Sequence, residues 1–313
     1  MQVPVALLIF NRPETTQVVF DAIRQAKPSK LLVIADGPRL DKPNDLERCQ
    51  QARDIVQKVD WDCELLTSFS DVNLGCKKRV YTGLSWVFSI VDRAIILEDD
   101  CCPHPSFFPY CAELLEYYRD DTRITSICGE NAQFGREVTE YSYYFSRYFH
   151  GWGWATWRRA WQNYDIEMKL WPKAKNSKEF QSLFTDFWVE RHWKNLFQDV
   201  YDGNISTCWD YQWIFNSFTQ GGLSIIPQVN LISNIGFGAN ATHTYDQSSM
   251  FANVGTHPIE FPIHHNPLVI PNIEADCYEE LTKFHVPDSM RRLKISLKEA
   301  LKGNFRSLKR SFS

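Results

Sequence analysis

The first hundred residues alternate between apolar runs of strand length and segments with helical spacing. The apolar runs cover residues 3–10 (VPVALLIF), 30–38 (KLLVIADGP), 63–69 (CELLTSF) and 93–100 (RAIILEDD). Helical patterns cover residues 14–26, 45–59 and 80–91, between those runs. Strands that are apolar on both faces and separated by such helices indicate a parallel sheet covered on both sides. We therefore predict an α/β fold with a mixed, mainly parallel sheet flanked by helices.

Polar residues stand at the carboxyl ends of three of these apolar runs. They are Asn11 and Arg12 after the first run, Asp36 in the second, and Glu98, Asp99 and Asp100 in the fourth. In open α/β sheets, ligands bind outside the carboxyl ends of the strands. The pattern therefore predicts that these side chains meet in a ligand crevice at one edge of the sheet.

The pattern changes after residue 100. Helical spacing covers residues 107–119, 165–202 and 207–222, and strand-like runs cover 124–131 and 223–232. The chain contains no repeat and no low-complexity linker, which predicts one continuous domain over residues 1–257, in two halves, 1–100 and 101–257. We expect a loop at 236–256, an irregular Pro- and His-rich segment at 258–287, and a basic amphipathic tail at 288–313.

Composition excludes several classes of protein. Of the 313 residues, 44 % are hydrophobic, which is too many for a disordered chain. The formal net charge of −4 gives no reason to expect a nucleic-acid partner. The nine cysteines are irregularly spaced and form no zinc or disulfide pattern. The first apolar run ends at Asn11, too early for a secretory signal or a membrane span, so we predict a cytoplasmic protein.

The acids Glu98, Asp99 and Asp100 are the strongest candidates for a metal site. Three consecutive carboxylates repel one another, and a cation normally offsets that repulsion. Carboxylate oxygens suit Mn²⁺ or Mg²⁺, which proteins often hold with one or two carboxylates plus substrate phosphates. The alternative is a solvated turn, but the run IILEDD has no glycine or serine to form one.

Other residues at the strand ends have two interpretations each. Asp36 either holds a ribose hydroxyl or a base N–H group, or stabilises its own Asp-Gly-Pro turn. Arg12 pairs with a phosphate or with nearby acids. Lys77 and Arg79 open a helix and form either an anion site or a charged surface. Neither a dinucleotide-binding glycine motif nor a phosphate-binding loop occurs.

The second half contains an aromatic motif and an isolated acid. In HGWGWATW (150–157), the tryptophans either pack in the core or stack on a sugar, which the intervening glycines would let approach closely. Asp210 lies among aromatic residues, where it either accepts a proton or caps a helix. His243 and the pair His264 and His265 are candidate ligands of a metal or a phosphate.

The order of these motifs resembles that of GT-A glycosyltransferases, most closely the N-acetylglucosaminyltransferase I-like group and its bacterial relatives. The resemblance rests on FNRP (10–13), IADGP (34–38), NLGCKKR (73–79) and IILEDDCCPHPSFFPY (95–110). It continues through ITSICGEN (124–131), YFHGWGWATWRRAW (148–161), WDYQW (209–213) and NIGFG (234–238), over about residues 3–245. Two features differ from that group: the segment between Trp161 and Asp210 is long and helical, and we expect no membrane anchor before the domain.

The resemblance implies roles for several candidate residues. Asp100 would hold Mn²⁺ or Mg²⁺ on the donor diphosphate, and Asp210 would deprotonate the acceptor hydroxyl. His243 is a further candidate metal ligand by its residue type. The loop 236–256 would close over the donor. The remaining donor-binding candidates are Asn11, Arg12, Asp36, Lys77, Arg79, Glu98 and Asp99, and the candidates on the acceptor side are Glu130, Trp152, Gly153 and Trp154.

The resulting hypothesis is a metal-dependent, inverting transfer of a sugar from a nucleoside diphosphate, UDP being favoured, to a hydroxyl of a glycan or lipid-linked acceptor. A nucleotidyltransferase that makes a sugar nucleotide, or a non-catalytic carbohydrate-binding protein, is the alternative. The tail 288–313 has alternative interpretations: a peripheral membrane contact, a terminal helix docked on the domain, or disorder.

Overall fold

The computed structural model describes residues 1–184, 186–237, 249–288 and 292. Within these residues the strands are β1 Val5–Ile9, β2 Lys30–Ala35, β3 Glu64–Phe69, β4 Arg93–Glu98, β5 Cys101–Pro103, β6 Ile124–Cys128, β7 Tyr143–Ser146, β8 Trp154–Trp157, β9 Leu223–Pro227 and β10 Ile232–Asn234. The helices are α1 Pro13–Ala26, α2 Asp45–Val56, α3 Cys76–Ile90, α4 Phe107–Tyr117, α5 Arg158–Trp161, α6 Trp171–Ala174, α7 Lys178–Gln181, α8 Phe187–Tyr201, α9 Asp210–Gln220 and α10 Ile273–Thr282.

One large sheet runs through both halves of the chain. In the described part its strand order is β3-β2-β1-β4-β8-β6-β9-β7. The strands β3, β2, β1 and β4 are parallel, and so are β6 and β9. Strand β8 is antiparallel to both of its neighbours, β4 and β6. The predicted mixed, mainly parallel sheet flanked by helices is therefore confirmed.

Strand β1 shows why the sheet is covered on both faces. Its five residues are all buried, and successive side chains of a strand point to opposite faces. Leu7 packs in the same core as Phe20 of α1, whereas Leu8 packs in the opposite core with Leu84 of α3. The edge strand β3 differs, because its residues are half-buried or exposed. The prediction of strands apolar on both faces is therefore wrong for β3.

After residue 227 the chain returns to the region of the acid residues and contributes to a second sheet. In this two-stranded sheet of the described part, β10 pairs antiparallel with β5, which directly follows Asp99 and Asp100. The segment 258–287, which we predicted to be irregular, contains helix α10. This helix buries Asp276, Glu279 and Glu280, whose polar partners lie elsewhere in the fold. No helix in the described part of the chain has the length and apolar character needed to cross a membrane.

Candidate functional site

The carboxyl ends of β1 and β4 lie side by side, and their polar residues contact each other. The Arg12 guanidinium donates from Nη1 to Asp100 Oδ2 at 2.7 Å and from Nη2 to Asp99 Oδ1. The other oxygen of Asp99 accepts the N–H of Phe10 at 3.0 Å. The acids that follow β4 are therefore held by the strand next to them.

Burial makes this acid cluster electrostatically unusual. Asp99 and Asp100 are almost completely buried, and Glu98 is half-buried. Burial, with the charge of Asp100, raises the pKa of Glu98 to about 8. Burial also raises the pKa of Asp99 to about 6, although Arg12 opposes this. Burial lowers the pKa of Arg12, but the charges of Asp99 and Asp100 outweigh it and raise that pKa overall. Three acids thus face one cation, an environment that favours a further positive charge or hydrogen-bond donors.

The Asp36 carboxylate accepts hydrogen bonds from the backbone around it. It accepts the N–H groups of Gly37 (2.9 Å), Leu74 (2.9 Å) and Gly75 (3.0 Å). These bonds use both carboxylate oxygens and join the end of β2 to the start of α3. The sequence left two interpretations of Asp36, a ribose contact and a turn-stabilising residue. The structure shows the turn-stabilising interaction.

The side chain of Arg79 lies inside the fold rather than in the crevice. Its Nε donates to the carbonyl oxygen of Ala35 at 3.1 Å, and its Nη2 donates to Ser68 Oγ at 2.9 Å. Because the side chain is buried against the ends of β2 and β3, the structure does not offer Arg79 to a donor phosphate. Asn11 is engaged too, since its Nδ2 donates to Asp45 Oδ1 at 2.6 Å.

Asp210 is the first residue of α9 and is half-buried next to the acid cluster. Its charge is among the causes that raise the pKa of Glu98, after burial and the nearer acids. Burial, followed by the Asp210 charge, also raises the pKa of Cys208 to about 11 and raises that of Tyr211. The fold therefore brings a residue from the second half of the chain to the predicted crevice.

Gln212 connects the starts of α3 and α9, and the sequence analysis did not single it out. Its amide, oriented to satisfy its neighbours, accepts from Lys77 Nζ at 3.2 Å and donates to the carbonyl oxygens of Cys208 and Trp209, each at 3.1 Å. Gln212 is completely buried. A buried amide within an otherwise aromatic helix face was the signal that could have identified it.

Gly236 packs directly on the acid cluster. It follows β10, and the N–H of Ile235 donates to the carbonyl oxygen of Asp100 at 2.8 Å. A Cβ atom at Gly236 would overlap Asp100 Oδ2 and would lie 2.8 Å from Arg12 Nη1. Only a glycine backbone therefore fits against this pair. Residues 238–248 of the predicted loop 236–256, with His243, lie outside the described residues.

The aromatic motif divides between the core and the crevice. Trp154 is completely buried in β8, with its ring centroid 5.6 Å from that of Trp209 and 5.5 Å from that of Trp213. Its ring is covered by protein and does not face a sugar, contrary to the expectation. Gly153 has a positive φ of 59° and leaves no room for a Cβ atom beside Ile232.

Trp152, which we predicted on the acceptor side, is half-buried next to Lys283, the residue after α10. Lys283 Nζ lies 5.6 Å from the Trp152 ring centroid and pairs with Glu130 at 2.6 Å. Both ring nitrogens of the buried His150 lie near oxygen acceptors, Glu279 Oε2 at 2.8 Å and the carbonyl oxygen of Glu130 at 3.2 Å. The sequence analysis did not predict Glu279 and Lys283, because their partners lie more than a hundred residues away.

The residues fit a metal only in combination with a substrate. Within the described part of the chain no group of three or more His, Cys, Asp and Glu side chains could hold a metal ion. Oδ1 of Asp100, however, is contacted there only by the Cys101 thiol, at 3.5 Å. One such carboxylate plus phosphate oxygens is a usual arrangement for Mg²⁺. His265 lies elsewhere, with its ring 3.9 Å from that of Tyr117.

Comparisons with known proteins leave the family open. No family model matches the chain, and no curated protein matches it. Similar solved structures include a galactosyltransferase, LgtC, in complex with donor and acceptor sugar analogues, with 13 % identity over 72 % of this chain and 73 % of that chain, and a TM-score of 0.37. For S. aureus TarS the identity is 9 %, the coverage 72 % and 35 %, and the TM-score 0.39.

A third similar structure is CMP:2-keto-3-deoxy-manno-octonic acid synthetase complexed with CTP. Its identity is 16 %, the coverage is 72 % of this chain and 89 % of that chain, and the TM-score is 0.35. Identities and TM-scores this low establish neither a family nor an activity. The resemblance to the N-acetylglucosaminyltransferase I-like group therefore stays a prediction, and function has to be argued from the site itself.

Proposed function

We propose that the protein is a metal-dependent, inverting glycosyltransferase. It would move a sugar from a nucleoside diphosphate sugar, preferentially a UDP-sugar, to a hydroxyl of a glycan or lipid-linked acceptor. The observation that carries this proposal is the proximity of Asp210 to the acid cluster, because the Asp210 charge contributes to the raised pKa of Glu98. One acid group can hold the donor while a separate carboxylate takes the acceptor proton.

On the donor side, Asp100 would hold Mn²⁺ or Mg²⁺ through Oδ1, with His243 as a further candidate ligand. The ion, when bound, neutralises charge on the leaving diphosphate. Lys77 supplements it, because an ammonium group has three donors and the bond to Gln212 uses one of them. Arg12 keeps the neighbouring carboxylates in place.

On the acceptor side, Asp210 would act as general base. A positioned carboxylate can take up the proton of a reacting hydroxyl in the transition state. Gly236 covers the Asp100 side chain and so limits access of water, which would otherwise hydrolyse the donor. Trp152 would lie against the acceptor sugar, since aromatic faces pack on the apolar C–H faces of sugars.

The connection between β1 and α1 argues against a nucleotidyltransferase. It consists of Phe10, Asn11 and Arg12 and contains no glycine. Backbone cradles for nucleoside triphosphates commonly use glycine-rich loops at this position of an α/β fold.

Incubation with labelled UDP- and GDP-sugars and Mn²⁺ tests the proposed function. We expect slow hydrolysis of one donor, which Asp100→Asn abolishes and Asp92→Asn, at an exposed position, leaves intact. Pyrophosphate exchange would instead indicate the nucleotidyltransferase. Binding without turnover of any donor would indicate a carbohydrate-binding protein.

A peripheral membrane contact through 288–313 is a separate part of this proposal. Except for residues 288 and 292, this tail lies outside the described residues. Eight Lys or Arg against two Asp or Glu give it the charge that anionic lipids attract. Sedimentation with anionic vesicles should require residues 288–313, and equal sedimentation of a truncated chain would contradict the contact.

A further inference from the structure

The edge of the sheet that carries the acid cluster continues to a large cavity. The cavity has a volume of about 760 Å³ and lies where β9 ends and β7 begins, between segments 131–142 and 254–264. Three strand spacings, from β4 through β8 and β6 to β9, separate the two sites. At about 4.8 Å per spacing, the cavity lies about 14 Å from the end of β4.

Three carboxylates and two imidazoles line the cavity without an ion pair to any described residue. Within the described residues, no ion pair or side-chain hydrogen bond engages the carboxylates or imidazoles of Glu137, Glu140, Glu260, His257 and His264, all of which line it. Arg136 also lines the cavity, but its guanidinium forms an ion pair with Glu274 at 2.6 Å. The same guanidinium lies 4.3 Å from the Tyr278 ring centroid. The cavity therefore has an excess of negative charge and of hydrogen-bond acceptors.

Aromatic side chains extend from the cavity toward the crevice. The half-buried Tyr141 lies beside His264, with ring centroids 4.9 Å apart. Phe134 also lines the cavity, and its ring centroid lies 5.2 Å from that of Phe251. The Phe251 centroid lies 6.4 Å from that of Trp152. Trp152 in turn lies 5.8 Å from Phe237, one residue after the glycine that covers Asp100.

We propose that this cavity binds an uncharged oligosaccharide segment of the acceptor, several sugars away from the reacting hydroxyl. Sugar hydroxyls donate hydrogen bonds to carboxylates, and their C–H faces pack on aromatic rings. Like charges across an interface are unfavourable, so the three carboxylates disfavour uronic acids and phosphates. The role as an acceptor subsite rests on the proposed function, whereas sugar binding itself does not.

Direct binding to an immobilised panel of oligosaccharides tests this proposal. The panel contains neutral and uronic-acid-containing chains from monosaccharides to hexasaccharides, presented to the full chain. We expect neutral tetra- to hexasaccharides of at least one linkage type to bind about tenfold or more tightly than monosaccharides or acidic chains of equal length.

Two variants connect that binding to the cavity. Tyr141→Ala should weaken binding of the neutral chains about tenfold. Glu140→Lys, at an exposed position, should shift the preference toward acidic chains. Tyr201→Ala and Glu179→Lys, at exposed positions on α8 and α7 that do not line the cavity, are the matched controls.

Three results would overturn the subsite: no binding to any member of the panel, tighter binding of acidic chains by the unaltered protein, or binding unaffected by both cavity variants. Donor hydrolysis is measured on the same samples. If the cavity variants leave both donor hydrolysis and sugar binding unchanged, the subsite fails and the proposed function stands. If sugar binding follows the variants but no donor is turned over, the sugar site stands and the transferase proposal fails.

Discussion

The two ends of the sheet edge differ in the burial and pairing of their acidic side chains. At the proposed donor end, defined by Arg12 and the acids Glu98–Asp100, Asp99 and Asp100 are buried and paired with Arg12. At the far end, the exposed Glu137 and Glu140 line a cavity without an ion pair in the described structure. Buried charges must be paired because desolvation is costly, whereas exposed charges keep their water.

This difference indicates how each end would bind its ligand. The donor end has rigid internal partners, which suits groups that must hold a diphosphate in one orientation. The far end, which we propose as a subsite for the acceptor sugar, has carboxylate oxygens that accept no hydrogen bond from the described residues. This suits a ligand that is recognised through many weak hydroxyl contacts. Substitutions at the donor end should therefore cost stability as well as activity, and those at the cavity should cost binding alone.

The largest effect is expected for Asp210→Asn. If Asp210 removes the acceptor proton, turnover should fall about 10²–10⁴-fold while donor binding is retained. Donor hydrolysis and donor binding in the presence of Mn²⁺ measure the two quantities separately. Asp202→Asn, at an exposed position after α8, is the control. Normal turnover by Asp210→Asn would remove this residue as the base.

Arg12→Met should be the most destabilising change at the donor end. It leaves Asp99 and Asp100 buried without their cation, a loss of about 3–5 kcal/mol when one partner of a buried pair is removed. Urea unfolding measures this free energy. Arg24→Met removes partly exposed pairs with Asp21 and Asp60 and should cost about 0–1 kcal/mol. Equal effects of the two substitutions would contradict the contrast between the ends.

Glu279→Gln tests the buried pair of His150 and Glu279. We expect it to lower the free energy of unfolding by about 1.5–3 kcal/mol at neutral pH. Burial acts to raise the pKa of Glu279, but the charge and hydrogen bond of His150 outweigh it and lower that pKa below 4.5. The pair therefore stabilises the fold above pH 4.5, and this contribution is lost as the pH falls through the depressed pKa.

Thermal unfolding across the acid range measures that dependence. The melting temperatures of the unaltered protein and Glu279→Gln should converge as the pH decreases. Glu274→Gln, at an exposed position on the same helix, should show a smaller difference at neutral pH. A gap that stays constant down to low pH would mean that Glu279 is not charged in the folded protein.

Gly236→Ala should cost about 1–3 kcal/mol, because the added methyl group overlaps Asp100 and displaces Arg12. Donor hydrolysis should fall with it, since the same atoms hold the acid cluster. Gly255→Ala is the matched control, because nothing lies within 4 Å of a Cβ atom there. Unchanged unfolding of Gly236→Ala would show that the chain after β10 can move away from the acids.

The smallest change in stability is expected for Glu140→Gln, within about 0.5 kcal/mol. Its carboxylate is exposed and has no ion pair among the described residues, so nothing in the fold loses a partner. Chemical denaturation checks this. A loss of more than about 1 kcal/mol would show that the cavity is held together by its charges, as the donor end is.

The sequence by itself determined the β/α alternation and the polar strand ends. Both follow from local periodicity, since an apolar run such as β1 is buried whatever its partners are. The carboxyl ends of parallel strands then share an edge, so the meeting of Arg12 with Asp99 and Asp100 followed from order and direction alone. Strand β8 between β4 and β6 did not follow, because its pairing depends on distant residues.

Only the tertiary structure decided how individual side chains are used. Asp36 and Arg79 have the right chemistry for a nucleotide site, yet neighbouring backbone groups engage them first. Trp154 has an aromatic face for a sugar, but α9 covers it. Among the buried acids of α10, Glu279 pairs with His150, which lies 129 residues away along the chain. A residue type limits the chemistry, and the three-dimensional neighbours choose among the alternatives, because hydrogen bonds and desolvation depend on contacts that sequence spacing does not encode.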